Sequence, residues 1–318
     1  QNGPGDAAVL RSTYATDRWR GIALGCGVNP RYGALDPLAM AVSAIDEAVR
    51  NVVCVGADPD QTAILDNFCW GNPSLPDRLG SLVRAAKGCY EAALAFGTPF
   101  ISGKDSLNNE YTDGTTGRRI SIPATLLISS IGIVPDVRHA MTMDLKGVGN
   151  RLYLIGQTRN ELGGSHYGLA LGEEWGVPPQ AVAQGLDTAR AVHTAITRGL
   201  VRACHDCSEG GLAVAAAEMC LAAGLGLDLD ARAIPLDDDA RRTDLALFSE
   251  SNSRYLIEVA AEDAPAFESV MVGFPCAAIG AVTAEPRLKA VGLNGETALD
   301  LSVEDLHRSW SDQSYARP

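Results

Sequence analysis

Lysine is scarce in this sequence. Of its 26 basic residues only Lys87, Lys104, Lys146 and Lys289 are lysines, so arginine serves nearly everywhere a cation is placed. A lysine beside a glycine, as at Lys104, therefore looks chosen for a compact, flexible ammonium and not for a planar fork. Net positive charge is lacking as well: the chain carries −13 with no basic patch, which argues against a nucleic-acid partner. No run is long or apolar enough to span a membrane. The opening stretch, Gln1 to Asp6, lacks the apolar core of a signal peptide, so the reading is a cytoplasmic protein. It also opens without an initiator methionine, and the expectation is a fragment of something longer. Paired cysteines with metal-site spacing are missing too. Cys204-His205-Asp206-Cys207 has the spacing of half a zinc site, but no second pair completes it, and the eight cysteines read as reduced core thiols.

What is present is an ordinary soluble composition. The 318 residues, 46% hydrophobic and 20% charged, suffice for two domains. The most informative stretch runs from Gln61 to Tyr111. An apolar run, Thr62 to Leu65, turns polar at Asp66 and breaks near Pro73, and a second, Thr98 to Ile101, ends in Ser102-Gly103-Lys104-Asp105-Ser106. Between them, apolar residues from Leu79 to Leu94 recur at helical spacing. The pattern predicts strand, loop, helix, strand, loop, with both loops at one end of a sheet, where rigid strands hold polar groups for a ligand. Gly103 would let backbone N–H groups approach an anion, Lys104 would add a mobile charge, and Asp66 and Asp105 suit a hard cation such as Mg2+. Phosphate with magnesium is one reading. A turn at Gly103 with two capping aspartates is the other.

In chain order, Asp6 to Leu10 and Gly21 to Leu24 read as strands, and Gly25 to Gly33 as a loop. Asp36-Pro37 opens a helix as N-cap and first-turn proline. Val52 to Val55 reads as a strand by its β-branched content, and Ser121 to Val134 as one long strand. A polar, glycine-containing segment from Met141 to Asn150 places a domain boundary near 148, giving domains 1–148 and 149–318. Beyond it come a strand at Leu152 to Ile155, a Gly163-Gly164-Ser165 loop, a helix from about Pro178 to Arg198, and a strongly helical Leu212 to Ala223. Glycines 210 and 211 ahead of that helix suit either an anion site or tight packing. Phe248-Ser249-Glu250-Ser251-Asn252-Ser253-Arg254 is a polar cluster before a strand at Tyr255 to Val259.

Four strings, DNFCWGNP (Asp66 to Pro73), SGKDSLNNE (Ser102 to Glu110), HDCSEGGLAVAAAEM (His205 to Met219) and FSESNSR (Phe248 to Arg254), carry a resemblance in this order. The chain, from Asp6 to roughly Glu285, resembles the C-terminal half of phosphoribosylformylglycinamidine synthase, of the aminoimidazole ribonucleotide synthetase-like superfamily. The resemblance implies an α/β fold. An N-terminal ATP-binding domain would have a mixed sheet that forms half of a central β-barrel with a second copy, and a larger α/β domain would follow. It implies an ATP- and Mg2+-dependent ligase that converts formylglycinamide ribonucleotide to the amidine with ammonia from glutamine, in purine biosynthesis. Implied partners are the N-terminal half, a glutaminase subunit and a small bridging subunit; independently, the strands expected in the N-terminal domain would leave an exposed sheet edge and face, which predicts a dimer through that domain. Asp66 and Gly103 match family positions that contact ATP, and Ser106 one that contacts substrate. Where many short bacterial forms have an asparagine magnesium ligand, this chain has Lys104 and then Asp105, as the long single-chain forms do. A protonated lysine cannot ligate magnesium, so Asp105 is the expected metal ligand and Lys104 an ATP contact. The family's catalytic histidine belongs to the other half, so no catalytic residue is assigned and the fragment alone is expected to be inactive. A stand-alone kinase or cyclase of the superfamily, and a non-catalytic nucleotide-binding scaffold, are the alternatives.

Overall fold

The computed structural model describes residues 5–11, 14, 19–174 and 176–312; Gln1 to Pro4 of the opening stretch lie outside them. The chain divides into two units, one of Ala7–Ala140 with Glu161–His193, the other of residues 5–6, 141–160 and 194–312.

The first unit is built on a five-stranded sheet. Its strands are β1 (Ala8–Arg11), β2 (Gly21–Val28), β3 (Asp58–Cys69), β4 (Phe100–Ser106) and β7 (Thr125–Val134), with β5 (Glu110–Thr112) and β6 (Arg119–Ser121) forming a separate hairpin. The order is β1-β2-β7-β3-β4, all antiparallel except the last pair. That parallel pair needs a crossover, which α3 (Pro76–Phe96) supplies. After α1 (Pro30–Leu35), α2 (Pro37–Cys54) lies on the sheet, buried along nearly its whole length. Asp36 caps it as expected, its carboxylate accepting from Leu38 N at 2.9 Å. The helix approaches β2 so closely that a Cβ at Gly27 would lie 2.1 Å from the Ala44 carbonyl oxygen.

A buried helix this polar must bond its side chains. Glu47 accepts from Val28 N and Asn29 Nδ2, which turns the chain out of β2, and Asn51 donates to the Cys26 carbonyl. On β7, alternate residues Leu126, Ile128 and Val134 are buried, while Leu127, Ile131 and Ile133 remain partly exposed on the other face.

Three local expectations are corrected. Val52 to Val55 is not a strand: α2 continues to Cys54, and the valines there answer to burial on a covered helix, which β propensity alone does not distinguish. Gly25 to Gly33 is not a loop, because β2 runs to Val28 and α1 begins at Pro30. The long strand from Ser121 is broken over Ile122–Ala124, where Pro123 has no N–H to give a ladder. Residues 161–193 cluster with this unit; they carry α4 (His166–Leu171) and the start of α5 (Gly185–Thr197), and are pinned by Arg31 Nε to the Gly164 carbonyl at 3.1 Å.

The second unit has a seven-stranded mixed sheet of β8 (Arg151–Ile155), β9 (Ala203–Asp206), β10 (Gly226–Asp230), β11 (Tyr255–Val259), β12 (Cys276–Thr283), β13 (Arg287–Val291) and β14 (Thr297–Ser302). Their order is β14-β13-β10-β12-β8-β11-β9. α6 (Gly211–Ala223) packs Leu212, Ala216, Met219 and Cys220 into one core with Leu227, Leu256 and Leu288 of the strands. α7 (Thr243–Phe248), α8 (Ala264–Val270) and α9 (Val303–Ser311) complete it.

The segment before β8 is irregular but not loose. Glu258 of β11, fully buried, accepts from Lys146 N at 2.8 Å, Gly147 N at 2.9 Å and Asn150 Nδ2 at 2.6 Å. Replacing Glu258 by alanine strands three donors, so Glu258→Ala should lower unfolding stability by roughly 3 kcal/mol or more, with Glu258→Gln losing less. Urea unfolding measures this, and a change under about 0.5 kcal/mol, the range of a neutral surface substitution, would rule out the clamp.

Candidate functional site

The two expected loops are not loops at their polar residues. Asp66 lies within β3, Gly103 to Ser106 lie within β4, and the parallel register sets Asp66 opposite Gly103, Asn67 opposite Lys104, Phe68 opposite Asp105 and Cys69 opposite Ser106. Strand alternation then sorts the five candidate residues. Asp66, Gly103 and Asp105 share the face toward α3, whereas Lys104 and Ser106 point to the opposite face.

The contact at the centre is tight. Asp66 Oδ1 accepts from Lys104 N at 3.2 Å, and a Cβ added at Gly103 would lie 2.5 Å from that same oxygen. Burial pushes the Asp66 carboxyl up, the Lys104 N–H draws it partly back, and the charge of Asp105 adds to the rise. The Asp66 charge in turn adds to burial in pushing the Cys89 thiol of α3 up to about 12. Two acidic groups repelling each other at a strand edge favour a cation between them, and oxygen donors fit Mg2+.

Beyond the strands the two segments are laced together. Trp70 N donates to the Ser106 carbonyl at 2.9 Å, Asn109 N to the Trp70 carbonyl at 2.9 Å and Asn108 N to the Gly71 carbonyl at 3.1 Å. Asn108 adopts φ 67°, a left-handed turn that asparagine tolerates. Ser106 Oγ is within 3.1 Å of Asn109 Oδ1, and Glu110 accepts from Asn72 N at 2.9 Å. A cavity of about 380 Å³ opens behind this lacing, lined by Trp70, Gly71, Arg78, Ser81, Ser121 and Pro123 among others; Asp66, Gly103 and Asp105 do not line it.

A second cluster, which the sequence reading passed over, lies in the other unit. His205 of β9 is buried, with Nδ1 2.8 Å from Asp6 Oδ1 and Nε2 2.9 Å from Glu218 Oε2 of α6. Asp206 N donates to Asp6 Oδ1 at 3.0 Å, and donor atoms of Asp6, His205 and Asp206 all lie within 4.8 Å of one another. Carboxylates only accept, so both ring contacts are satisfied when both nitrogens carry protons. Burial alone would push the His205 pKa down, but Asp6 and Glu218 hold it well above the usual imidazole value. His205 is thus an imidazolium and not a metal ligand; a cation would take oxygens of Asp6 and Asp206.

Sequence spacing could not have found this set, since Asp6 and His205 are 199 positions apart. Both cysteines of the Cys204-x-x-Cys207 half-site are buried and neither forms a disulfide.

Two family models, "AIR synthase related protein, N-terminal domain" and "AIR synthase related protein, C-terminal domain", match residues 4–125 and 147–292, and the chain belongs to this AIR synthase-related family. It is similar to the phosphoribosylformylglycinamidine synthase subunit PurL of Deinococcus radiodurans, with 36% identity over 323 residues, 98% of this chain and 41% of that protein. The chain thus spans about 40% of the length of the curated relatives it matches. In fold it is similar to PurL of T. maritima complexed with FGAR, with TM-score 0.77, 17% identity and coverage of 95% of this chain and 47% of that one. The same protein complexed with ATP gives 0.73, 16% identity and coverage of 95% and 46%. E. coli HypE gives 0.65 and 19% identity, over 88% of this chain and 85% of HypE. No helix among the described residues is long and apolar enough to cross a membrane.

The His205 triad makes a pH prediction. A raised folded-state pKa stabilises fully below about 6.5, the unfolded imidazole value, and the benefit fades as pH rises through the folded value. His205→Gln should cost about 3 kcal/mol at pH 6, because Asp6 and Glu218 lose their shared counter-charge. The gap from wild type should narrow as pH is raised. Urea midpoints of both proteins between pH 6 and 10 test this, and a gap that stays constant or widens would contradict it.

Proposed function

We propose that this chain is the C-terminal half of an ATP-dependent synthetase that converts formylglycinamide ribonucleotide to formylglycinamidine ribonucleotide with ammonia drawn from glutamine, in purine biosynthesis. The observation that carries the reading is the β3–β4 pair, where Asp66, Gly103 and Asp105 share one face and only glycine fits against the carboxylate. It is supported by the PurL relatives, whose length exceeds this chain more than twofold, and by the T. maritima PurL complexes with FGAR and with ATP.

An amide oxygen leaves poorly, and phosphorylation by ATP makes it a good leaving group that ammonia can displace. In this chain Asp66 and the Gly103 backbone would meet the nucleotide, and Asp66 with Asp105 would hold Mg2+, which neutralises charge on the phosphates. Asp105 suits this role better than Lys104, being on the Asp66 face. Lys104 and Ser106, on the other face, would meet nucleotide or substrate from that side. Asp6 and Asp206 are a second oxygen pair for a divalent cation.

The expected partners are the N-terminal half of the synthetase, a glutaminase subunit and a small bridging subunit. Among the described residues no further strand pairs with the outer edges of β1 and β4, and these edges, with the partly exposed apolar residues Leu24, Leu127, Ile131 and Ile133, favour a second sheet closing on this one into a barrel, whether from the other half or a second copy. A second reading, a stand-alone ATP-dependent kinase or cyclase, is favoured by the HypE-like fold over most of HypE's length.

Assays with formylglycinamide ribonucleotide, ATP, Mg2+ and ammonia separate these readings. The chain alone should give no amidine above buffer, because general base and positioning both come from elsewhere, and adding the remaining half of a PurL relative should restore turnover. Turnover by the chain alone, or none after the half is added, would overturn the proposal.

A further inference from the structure

The cavity behind the strand lacing belongs to none of the chemistry above, and it contains a cation with unspent bonding. Its volume of about 380 Å³ is more than ten times the roughly 30 Å³ share of a single water and falls in the range of small-molecule pockets. Its wall is drawn from three places in the first unit: Trp70 and Gly71 after β3, Arg78 and Ser81 in the first turns of α3, and the stretch from Ser121 to Ala124 that leads from β6 into β7.

The Arg78 guanidinium is held by one end. Nη1 donates to Asp77 Oδ2, and that contact is its one hydrogen bond among the described residues; Nε is buried and meets no acceptor there. A buried guanidinium donor left unmet is costly and calls for an explanation. Nε–H and Nη2–H lie parallel along one edge, the fork that two oxygens of a carboxylate or phosphate fill.

The surroundings keep that edge in place. Ser81 Oγ accepts from Trp70 Nε1 at 2.9 Å and donates to the Arg78 carbonyl at 2.8 Å, fixing the turn that carries Arg78 against the buried Trp70. Gly71 clears the space. A Cβ there would lie 2.2 Å from Ser121 Oγ and 3.3 Å from Arg78 Nε, so hydroxyl and guanidinium both close on the spot a side chain would fill. Ser121 Oγ donates to the adjacent Ile122 carbonyl at 3.0 Å, a bond that rotation of the hydroxyl exchanges for a ligand oxygen. Ile122, Pro123 and Ala124 supply apolar wall.

We propose that this cavity is a binding site for a small molecule bearing one oxyanion, a phosphate monoester or a carboxylate, on a compact apolar body. The Nε and Nη2 edge of Arg78 takes the oxyanion, Ser121 donates to it, and Ile122 to Ala124 cover the body. Asp77 orients the guanidinium through Nη1 and limits affinity by its own negative charge. The site is separate from the Asp66–Gly103 pair but shares a strap with it. Trp70 N holds the Ser106 carbonyl and Asn108 N the Gly71 carbonyl, so filling the cavity stiffens the segment that carries Ser106.

The test uses the full chain in magnesium-free buffer with three probes of similar body: phenyl phosphate, benzoate and the neutral benzamide. Calorimetry reads binding, and amide exchange at Trp70, Asn108 and Asn109 places it. At least one anion should bind saturably at millimolar concentration and slow exchange at these amides, benzamide should do neither, and the tighter anion identifies the oxyanion. Arg78→Gln should abolish binding, and Arg78→Lys, which keeps the charge and loses the fork, should weaken it about tenfold. Asp77→Asn should tighten it about threefold, the scale of one partly exposed charge. Should Arg78→Gln not fold, Arg78→Lys and Asp77→Asn carry the test. Absence of saturable binding by both anions, equal binding of benzamide, wild-type affinity in either Arg78 variant, or weaker binding in Asp77→Asn would overturn the proposal.

Discussion

The contact between the Asp66 carboxylate and the glycine opposite it sets the geometry on which the first unit's site depends. A parallel pair at a sheet edge has no further described strand to hold it in register, and β4 is exposed along most of its length. Its ladder with β3 is joined by Asp66 accepting from Lys104 N, with no side chain at Gly103 to hold the strands apart. Once that register is fixed, Trp70 N reaches the Ser106 carbonyl and Asn109 N reaches Trp70, so the ends of both strands are tied as one piece. The arrangement places three acidic or cation-tolerant positions on one face and the ammonium of Lys104 on the other. Its raised carboxyl is the electrostatic consequence: Asp66 is crowded by burial and by Asp105, and the Lys104 N–H draws it only partly back.

The second unit solves a similar problem with different chemistry. Its polar groups are not exposed at an edge but enclosed, and each is answered by a specific partner: His205 by Asp6 and Glu218, Gly210 N by Glu250, and the Lys146–Asn150 segment by Glu258. Asp6 and Asp206, nearly enclosed, with the partly exposed Glu218 and one imidazolium, would be unstable as isolated charges. Pairing with His205 offsets only part of the carboxylate charge and leaves the oxygens of Asp206 near those of Asp6.

Much of this was legible in the sequence where the signal is local. The Asp36-Pro37 helix start, the amphipathic α3, and the strand at Tyr255 to Val259 all appear where capping and periodicity put them. The family was legible because four motifs in fixed order are far more specific than any one. The errors have physical causes. Val52 and Val53 sit on a helix buried on all sides, where β-branched residues report burial and not strand. Ser102 to Asp105 read as a loop because a polar, glycine-containing run at an exposed edge strand has the composition of a loop. Asp6 and Glu218 were missed as partners of His205 because nothing local marks a contact between residues brought together by the fold, and Glu250 was seen only as part of a polar cluster with no target.

The account turns on the claim that the Asp66–Gly103 contact is where nucleotide is held. The direct measurement is the calorimetric affinity of Mg-ADP for the chain assembled with the remaining half of a PurL relative, wild type against Gly103→Val. A side chain there must displace the Asp66 carboxylate and the strand backbone together, so the account predicts that binding is lost or weakened by at least about tenfold, some 1.4 kcal/mol. Unchanged affinity in a variant that still assembles would show that this edge pair is structural and that the nucleotide binds elsewhere.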